Sequence, residues 1–151
     1  METLYQSPLG MITLVSNGTS LTALRFGSFQ VVDEQQHLAV FSETRRWLDL
    51  YFKGENPGFF PSLAPQGTPF QQKVWHELLT IPYGQTVSYG DIAQRIGCRS
   101  AQAVGQAVGR NPIAIIIPCH RVIGSDGSLT GYASGLDIKL WLLKMEKESH
   151  K

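Results

Sequence analysis

The chain has 151 residues, of which 42% are hydrophobic and 17% are charged, and its formal net charge is +1. This composition excludes a disordered chain and is typical of one ordinary globular domain or two small ones. Apolar runs fall short of the roughly 20 residues that span a bilayer, and the first residues lack the pattern of a signal peptide. We therefore expect a cytoplasmic protein with no membrane partner, in which Cys98 and Cys119 are free thiols.

The charges are divided unevenly along the chain. Residues 1–60 have a balance of −2, whereas residues 61–151 have a balance of +3. If either half binds a polyanion, this distribution favours the second half. Scattered lysines on a solvated surface would give the same count, so the charge leaves both interpretations open.

The first 60 residues predict a small sheet with a helix on it. Apolar residues alternate in 11–15 and 21–26, and Asn17-Gly18-Thr19 between them predicts a hairpin. Ser7-Pro8-Leu9-Gly10 predicts a turn before the first strand. From about Glu34 to Phe52 the apolar spacing changes to three and four residues, which predicts a helix. Reactive side chains do not cluster in this half, so we expect a structural role for it.

Residues 54–68 contain three prolines and three glycines, which predicts a linker. We therefore place an N-terminal α/β structural domain at residues 1–60. A C-terminal domain that holds the binding and reactive residues follows at residues 61–151.

Beyond the linker, helices are predicted in quick succession. Residues 71–81 have helical apolar spacing, and Ser88-Tyr89-Gly90-Asp91 is a Ser-x-x-acid capping signature that opens a short helix ending at Gly97. Ser100 can cap a further helix over residues 101–108. Two short helices joined by about four residues match a helix-turn-helix. Helical hairpins without a nucleic-acid partner have the same spacing, so this pattern alone does not establish DNA binding.

The second of these helices carries small residues on one face. Ala101 and Gly105 lie one turn apart with Gln102 beside them, whereas Val104 and Val108 should pack inward. Such a face allows close approach either to a groove wall or to another helix. A helix that reads the major groove would carry larger polar side chains. If this helix meets DNA, its smooth face therefore favours the minor groove.

Five apolar residues at 113–117 predict a strand, which leads into Pro118-Cys119-His120-Arg121. A thiolate is the reactive form of cysteine, and a neighbouring imidazole that takes the thiol proton can generate it near neutral pH. Adjacent residues of an extended chain point in opposite directions. A contact between Cys119 and His120 therefore needs either a turn or a bridging water. A buried, inert cysteine is the alternative.

A histidine that acts as a base needs a third group to orient it. The helix predicted from Leu136 to about Lys147 carries Glu146 among apolar residues, although an isolated glutamate on a helix is ordinarily a surface charge. A zinc site is the rival interpretation of Cys and His. Cys98 and Cys119 are 21 residues apart with no second pair, so we expect no metal.

The segment Ile117-Pro118-Cys119-His120-Arg121-Val122 resembles the Pro-Cys-His-Arg-Val/Ile signature of the O6-alkylguanine-DNA alkyltransferases, also called methylated-DNA–protein-cysteine methyltransferases. The likeness runs from about Gly67 to Glu146, and the N-terminal region fits the family's short, variable domain more loosely. The matching segments include Pro82-Tyr83-Gly84, Ser88-Tyr89, Ala103-Val104-Gly105, Asn111-Pro112, Gly131-Tyr132 and Leu142-Leu143.

The resemblance implies an α+β fold, in which a small ribonuclease-H-like sheet-plus-helix domain precedes a helical, winged helix-turn-helix-like domain. It also implies a DNA-repair transferase that works once. Such a protein flips O6-alkylguanine out of double-stranded DNA and takes the alkyl group onto Cys119, with O4-alkylthymine as a second candidate substrate. The implied protein needs no cofactor and is a monomer, which leaves cooperative binding along DNA open.

The catalytic roles follow from the same resemblance. Cys119 accepts the alkyl group, His120 activates it through a water molecule, and Glu146 orients His120. Asn111 shapes the entrance of the site. Tyr89 pushes on the target phosphate and contacts the flipped base.

The implied contacts with DNA and the base lie on the helix-turn-helix and in the loops around the reactive segment. The carbonyl groups of Cys119 and Val122 accept from the exocyclic amine of guanine. Tyr132 and Ser134 belong to the loop that covers the pocket, and Ser125 contacts a phosphate. The full set is Ala101, Gln102, Gly105, Arg110, Val122, Ser125, Tyr132 and Ser134.

One position departs from the family pattern. Relatives commonly carry an arginine that enters the base stack in place of the flipped nucleotide, and that position here is Gln102. Glutamine can fill the gap and hydrogen-bond the orphaned cytosine, but it carries no charge. We therefore expect weaker DNA binding, for which the nearby Arg110 compensates in part.

Two other classes of function are weighed against this one. A cysteine hydrolase would use Cys119 and His120 but would need an oxyanion hole and would turn over repeatedly. A helix-turn-helix regulator without chemistry would bind DNA and would tolerate replacement of Cys119.

Overall fold

The computed structural model describes residues 1–27, 34–129 and 131–149. Contacts divide the chain into two compact units, Met1–Gln66 and Gly67–Lys151. A small N-terminal sheet combined with α-helices confirms the predicted α+β class. Within the described ranges, no helix has both the length and the apolar character to cross a membrane.

The first unit is a three-stranded antiparallel sheet with one helix. Its elements are β1 (Glu2–Ser7), β2 (Gly10–Ser16), β3 (Leu21–Phe26) and α1 (Ala39–Phe52), and the strand order is β1-β2-β3. The predicted hairpin of β2 and β3 is confirmed. The sequence does not predict β1, because the buried positions of this strand are Thr3 and Ser7 rather than apolar residues.

The helix of the first unit begins later than the apolar spacing predicts. Glu34 forms a bridge with Glu2, and the Gln35 amide donates to the Glu2 carbonyl at 3.0 Å. This stretch therefore extends alongside β1, and α1 begins only at Ala39. Residues 62–64, within the predicted linker, also pair with this unit, since Leu21 exchanges two backbone hydrogen bonds of 2.8 Å with them.

The second unit consists mainly of helices. Its elements are α2 (Pro69–Leu78), β4 (Val87–Ser88), α3 (Tyr89–Ile96), α4 (Ala101–Gly109), β5 (Val122–Ile123) and α5 (Leu136–Ser149). The helices predicted in this half are all present, with ends shifted by a few residues. Trp75 connects α2 to α4, because its buried indole Nε1–H donates to the Ala107 carbonyl at 2.8 Å.

The caps of α3 and α4 match the sequence prediction. The Ser88 hydroxyl accepts from the Asp91 amide at 2.9 Å, and the Asp91 carboxylate accepts from the Ser88 amide at 2.9 Å, which is a capping box. Gly97 ends α3 at a φ of +72°, a conformation that favours glycine. The Ser100 hydroxyl then caps α4 by accepting from the Ala103 amide.

The predicted strand at residues 113–117 is wrong, because this buried segment forms a series of turns. The Ile117 amide donates to the Ile113 carbonyl at 3.1 Å, and Ile115 has a φ of +71°, which no strand residue adopts. The Asn111 side chain forms hydrogen bonds with backbone groups of this segment that would pair with a neighbouring strand in a sheet. Its Nδ2 donates to the Ile117 carbonyl at 2.8 Å, and its Oδ1 accepts from the Ile113 amide at 3.0 Å.

A two-residue parallel pair joins the helix-turn-helix to the reactive segment. Val87 pairs with Val122 and Ser88 pairs with Ile123. Tyr89 follows β4 directly, and the turn Cys119–Arg121 precedes β5 directly. The pairing therefore fixes the start of α3 beside the end of the reactive turn.

We predict that Gly67→Ala destabilises the second unit by about 1–3 kcal/mol, because of overpacking. A Cβ at this position would overlap the ring of Trp75, which is 1% exposed and held by its bond to Ala107. Urea denaturation measures the loss. Gly109→Ala is the matched control, since a Cβ there meets nothing within 4 Å. Equal stabilities of the two variants would contradict the assignment.

Candidate active site

The reactive segment forms a single 3₁₀ turn, Cys119–Arg121, inside the second unit. Cys119 is 7% exposed and His120 is fully buried. The Cys119 amide donates to the Ile117 carbonyl, and the Arg121 amide donates to the Pro118 carbonyl. A contact between Cys119 and His120 needs either a turn or a bridging water, and the backbone does turn at these residues.

Helix α5 brings Glu146 to this turn. The Glu146 carboxylate oxygen Oε2 lies 2.5 Å from His120 Nε2, and Glu146 is 1% exposed. The interpretation of Glu146 as a surface charge is therefore wrong. A carboxylate accepts, so Nε2 carries the proton, and Nδ1 of the neutral imidazole is the nitrogen that can receive one.

Arg121 is a member of the cluster that the sequence analysis overlooked. Its Nε donates to Glu146 Oε1 at 2.8 Å, and its Nη2 donates to Glu146 Oε2 at 3.2 Å. Its Nη1 donates to the Ile81 carbonyl at 2.8 Å. Glu146 Oε1 also accepts from the Gly84 amide at 3.2 Å, which connects the Pro82-Tyr83-Gly84 segment to the same carboxylate.

The cluster shifts the proton affinities of both its titratable partners. Burial raises the pKa of Glu146, but hydrogen bonds and charge from His120 and Arg121 outweigh it and lower that pKa to about 2. The pKa of His120 is lowered, mainly by burial and further by the charges of Arg121 and Lys139, although the hydrogen bond and charge of Glu146 raise it in part. Glu146 is therefore a carboxylate and His120 a neutral imidazole at neutral pH.

The thiol of Cys119 has a raised pKa, because burial outweighs the interactions that favour its ionised form. Burial raises the pKa of Cys119, whereas the Asn111 side chain, the charge of Lys139 and the Tyr132 side chain lower it. Burial and the interaction with Cys119 raise the pKa of Tyr132 well above its usual value. Tyr132 therefore stays a protonated phenol that can donate to sulfur.

Lys139 is the second residue that the sequence analysis missed. It is fully buried on α5, and its Nζ donates to the Val122 carbonyl at 2.7 Å. Burial lowers its pKa, and the charge of Cys119 opposes this. A helical signal was available, because Lys139, Leu142 and Glu146 follow a three- and four-residue spacing and form the buried face of α5.

A cavity of about 800 Å³ opens between α3, α4 and the loops before α5, and Tyr132 in its lining interacts with Cys119. Tyr89 and Gly105 meet on one wall, since a Cβ on Gly105 would lie 3.7 Å from the Tyr89 ring. The lining includes these predicted site residues: Tyr89, Ala101, Gln102, Gly105, Ser125 and Tyr132. Gly90, Gln106, Gly109, Gly131 and Ala133 complete it.

The remaining predicted contact residues lie elsewhere. Arg110 lines a neighbouring groove of about 620 Å³, between α4 and the start of α2. The Val122 carbonyl accepts from Lys139 Nζ at 2.7 Å, and Ser134 is half-buried in the loop before α5. Among the residues that the structure describes, His, Cys, Asp and Glu side chains do not form a group that could hold a metal ion.

Comparison with known proteins places this site in a family. Residues 69–148 match the family model of the 6-O-methylguanine DNA methyltransferase DNA-binding domain, and residues 1–60 match that of its ribonuclease-like domain. The chain belongs to the 6-O-methylguanine DNA methyltransferase family. This methyltransferase family includes the alkyltransferases whose signature the reactive segment resembles.

Individual relatives are similar over nearly their whole length. A methylated-DNA–protein-cysteine methyltransferase of Methanosarcina acetivorans is 49% identical over 149 residues, which cover 95% of this chain and 96% of that protein. A crystal structure of the Mycobacterium tuberculosis O6-methylguanine methyltransferase matches with a TM-score of 0.87 and 46% identity, covering 98% and 93%. A structure of that organism's OGT in complex with DNA matches with a TM-score of 0.85 and 48% identity, covering 97% and 92%.

We predict that Glu146→Gln lowers the free energy of unfolding at pH 7 by about 3–5 kcal/mol, because it leaves Arg121 buried beside a neutral group. The pKa of Glu146 is about 2 in the fold against a usual 4.5. Its charge therefore stabilises the fold above about pH 4.5, and this contribution is lost as the pH falls towards 2. Urea denaturation should show the two proteins converging over that window.

The matched control is Glu77→Gln, because the partners of Glu77 are exposed: Arg95 lies at 3.9 Å, and the Thr80 hydroxyl donates to its carboxylate at 3.4 Å. That change should cost at most about 1 kcal/mol. A loss from Glu146→Gln that stays constant between pH 7 and the acid limit would contradict the assigned pKa.

Proposed function

We propose that this protein repairs DNA by transferring the alkyl group of O6-alkylguanine to its own Cys119, once per molecule. The observation that carries the proposal is a buried cysteine that precedes the hydrogen-bonded His120 of the His120–Glu146 pair and interacts with Tyr132, which lines a cavity at the helix-turn-helix. Membership of the methyltransferase family supports it, as does a relative whose structure contains DNA. O4-alkylthymine is the second candidate substrate, and the transfer needs no cofactor.

The first step of the proposed reaction is extrusion of the damaged base. A side chain cannot reach an atom of a stacked base, so the nucleotide rotates out at a cost of a few kcal/mol, which is lower for a poorly paired lesion. The small residues Ala101 and Gly105 let α4 approach the minor groove closely. Gln102 fills the gap in the stack, and Arg110 and Ser125 contact the phosphates. Tyr89 pushes on the target phosphate.

The flipped base then enters the cavity beneath α3 and α4. The carbonyl groups of Cys119 and Val122 accept from the exocyclic amine of guanine. The Val122 carbonyl already accepts from Lys139 with one lone pair, so its second lone pair accepts from the base. Tyr132 and Ser134 close the loop over the base, and Asn111 holds the entrance. These roles account for the polar groups that surround an otherwise apolar cavity.

The chemical step is an in-line displacement at the alkyl carbon. The thiol proton leaves through a water molecule to His120 Nδ1, and the thiolate forms a carbon–sulfur bond as the carbon–O6 bond breaks. The electron pair stays on guanine, which takes one proton from solvent with help from Tyr89 and leaves neutral, while His120 returns the thiol proton to solvent. The product is a thioether, which has no nucleophilic thiolate and no good leaving group. Each molecule therefore reacts once.

The division of labour and the setting complete the proposal. Residues 1–60 carry the structural role together with residues 62–64, which pair with them, and the DNA-binding and alkyl-acceptor role belongs to the unit Gly67–Lys151. The protein acts as a cytoplasmic monomer on double-stranded DNA, where a reducing environment keeps both cysteines as thiols. Cooperative binding of neighbouring copies is compatible with this arrangement. Hydrolase and regulator functions lack the support that the methyltransferase relatives give here.

We predict that Cys119→Ala abolishes alkyl transfer and retains affinity for alkylated DNA, because the cavity and α4 remain while the acceptor sulfur is lost. Mass spectrometry of peptides after incubation with O6-methylguanine DNA should find one methyl group on the Cys119 peptide of the natural protein. Cys98→Ala is the matched control, because this partly exposed thiol bonds only within the turn before α4. A methyl group on another residue, or none, would contradict the proposal.

We also predict that Gln102→Arg tightens DNA binding and steepens its dependence on salt by about one phosphate equivalent, since a charge on this exposed residue reaches the backbone. Fluorescence anisotropy at several salt concentrations measures both quantities. Gln94→Arg adds the same charge on α3 outside the cavity lining and should have a smaller effect. Equal effects of the two substitutions would place Gln102 outside the groove.

A further inference from the structure

The guanidinium of Arg121 is committed to the reactive cluster. The side chain is 9% exposed, and its three donor nitrogens bond to the two oxygens of Glu146 and to the Ile81 carbonyl, at 2.8–3.2 Å. A planar fork that meets both oxygens of a carboxylate fixes its orientation as well as its position. The bond to Ile81 anchors the fork to the backbone between α2 and β4.

The carboxylate of Glu146 therefore has little freedom. Oε1 accepts from Arg121 Nε and the Gly84 amide, and Oε2 accepts from Arg121 Nη2 and His120 Nε2. A rotation that released His120 would also break the fork of Arg121. The arginine thus holds the hydrogen bond that keeps the proton on Nε2 and presents Nδ1 as an acceptor.

The charge of Arg121 matters as much as its geometry. A carboxylate in contact with a histidine normally stabilises the protonated imidazole. Here the charge of Glu146 is already offset by Arg121 at 2.8 Å. A proton on His120 would place a further positive charge beside Arg121 and Lys139. The titratable or charged groups around His120 are Tyr83, Cys119, Arg121, Tyr132, Lys139 and Glu146.

We propose that Arg121 is a positioning residue of the transfer site, which offsets the charge of Glu146 so that His120 remains a neutral proton acceptor. This role rests on the proposed function, because a neutral imidazole is what the Cys119 thiol needs in order to lose its proton. A histidine paired with a bare carboxylate would hold its own proton near neutral pH and would be a poorer base. The lowered pKa of His120 agrees with this arrangement.

The test is an NMR titration of the His120 imidazole in the DNA-free protein, with its signal assigned by its absence in His120→Gln. Arg121→Met should raise the pKa of His120 by on the order of one pH unit, since the uncompensated carboxylate then stabilises the imidazolium. Arg121→Gln, which keeps a donor but no charge, should raise it as well and serves if the methionine variant does not fold. Arg121→Lys, which keeps the charge, should titrate close to the natural protein.

Arg95→Met is the matched control, because Arg95 is exposed and its nearest acidic partner is Glu77 at 3.9 Å. It should leave the titration of His120 unchanged. The proposal is overturned if His120 titrates at the same pH with and without a cation at position 121, or if Arg121→Lys shifts it as far as Arg121→Gln. The measurement requires no alkyl transfer, so its failure is distinguishable from failure of the proposed function.

Discussion

A buried carboxylate is the constraint on which the second unit depends. Glu146 is 1% exposed, and an ionised carboxylate away from water is tolerated only where charge and hydrogen bonds replace its hydration. Its partners come from two other places in the chain, the turn at Gly84 before β4 and the Cys119–Arg121 turn, and both meet α5 at this carboxylate. Satisfying one side chain thus fixes the relative positions of these segments. The same hydrogen bonds orient the histidine next to the reactive cysteine.

In the proposed reaction, the region that approaches DNA is separate from the region that performs the chemistry. The surface of α4 is built from small and uncharged residues, which suits close contact with a groove. The buried cluster behind it holds the charged groups. The parallel pair of β4 and β5 connects the two regions, because Tyr89 follows one strand and Val122 begins the other. The cavity is lined by residues of both helices of the helix-turn-helix and by Tyr132, which interacts with Cys119.

Local signals in the sequence predicted much of this fold. The capping box of Ser88 and Asp91, the end of α3 at Gly97 and the hairpin of β2 and β3 depend on neighbouring residues, and all were predicted correctly. The turns at residues 113–117 were not predicted. A run of five buried apolar residues has the same sequence pattern in a strand as in turns whose backbone bonds to the Asn111 side chain. Only tertiary structure distinguishes the two.

The charged residues of the site show the same limit more clearly. Cys119 and His120 are neighbours in a recognisable motif, so sequence reasoning could find them. Arg121 lies in the same motif, but its sequence context is that of an ordinary surface arginine. Its partner Glu146 lies 25 positions further along the chain, and only the fold brings the two together. Lys139 occupies a buried helical position, although amino-acid composition and charge patterning predict that a lysine side chain is exposed to solvent. Residues that act through distant partners require the fold to be known.

The central claim is that the alkyl group ends on the protein and stays there. The most direct measurement mixes a fixed amount of protein with an excess of DNA that carries O6-methylguanine with a labelled methyl group, and follows the label over time. Protein-bound label should reach one methyl per chain, after which the reaction stops. Continued loss of label from the DNA into solution, beyond one equivalent, would contradict it.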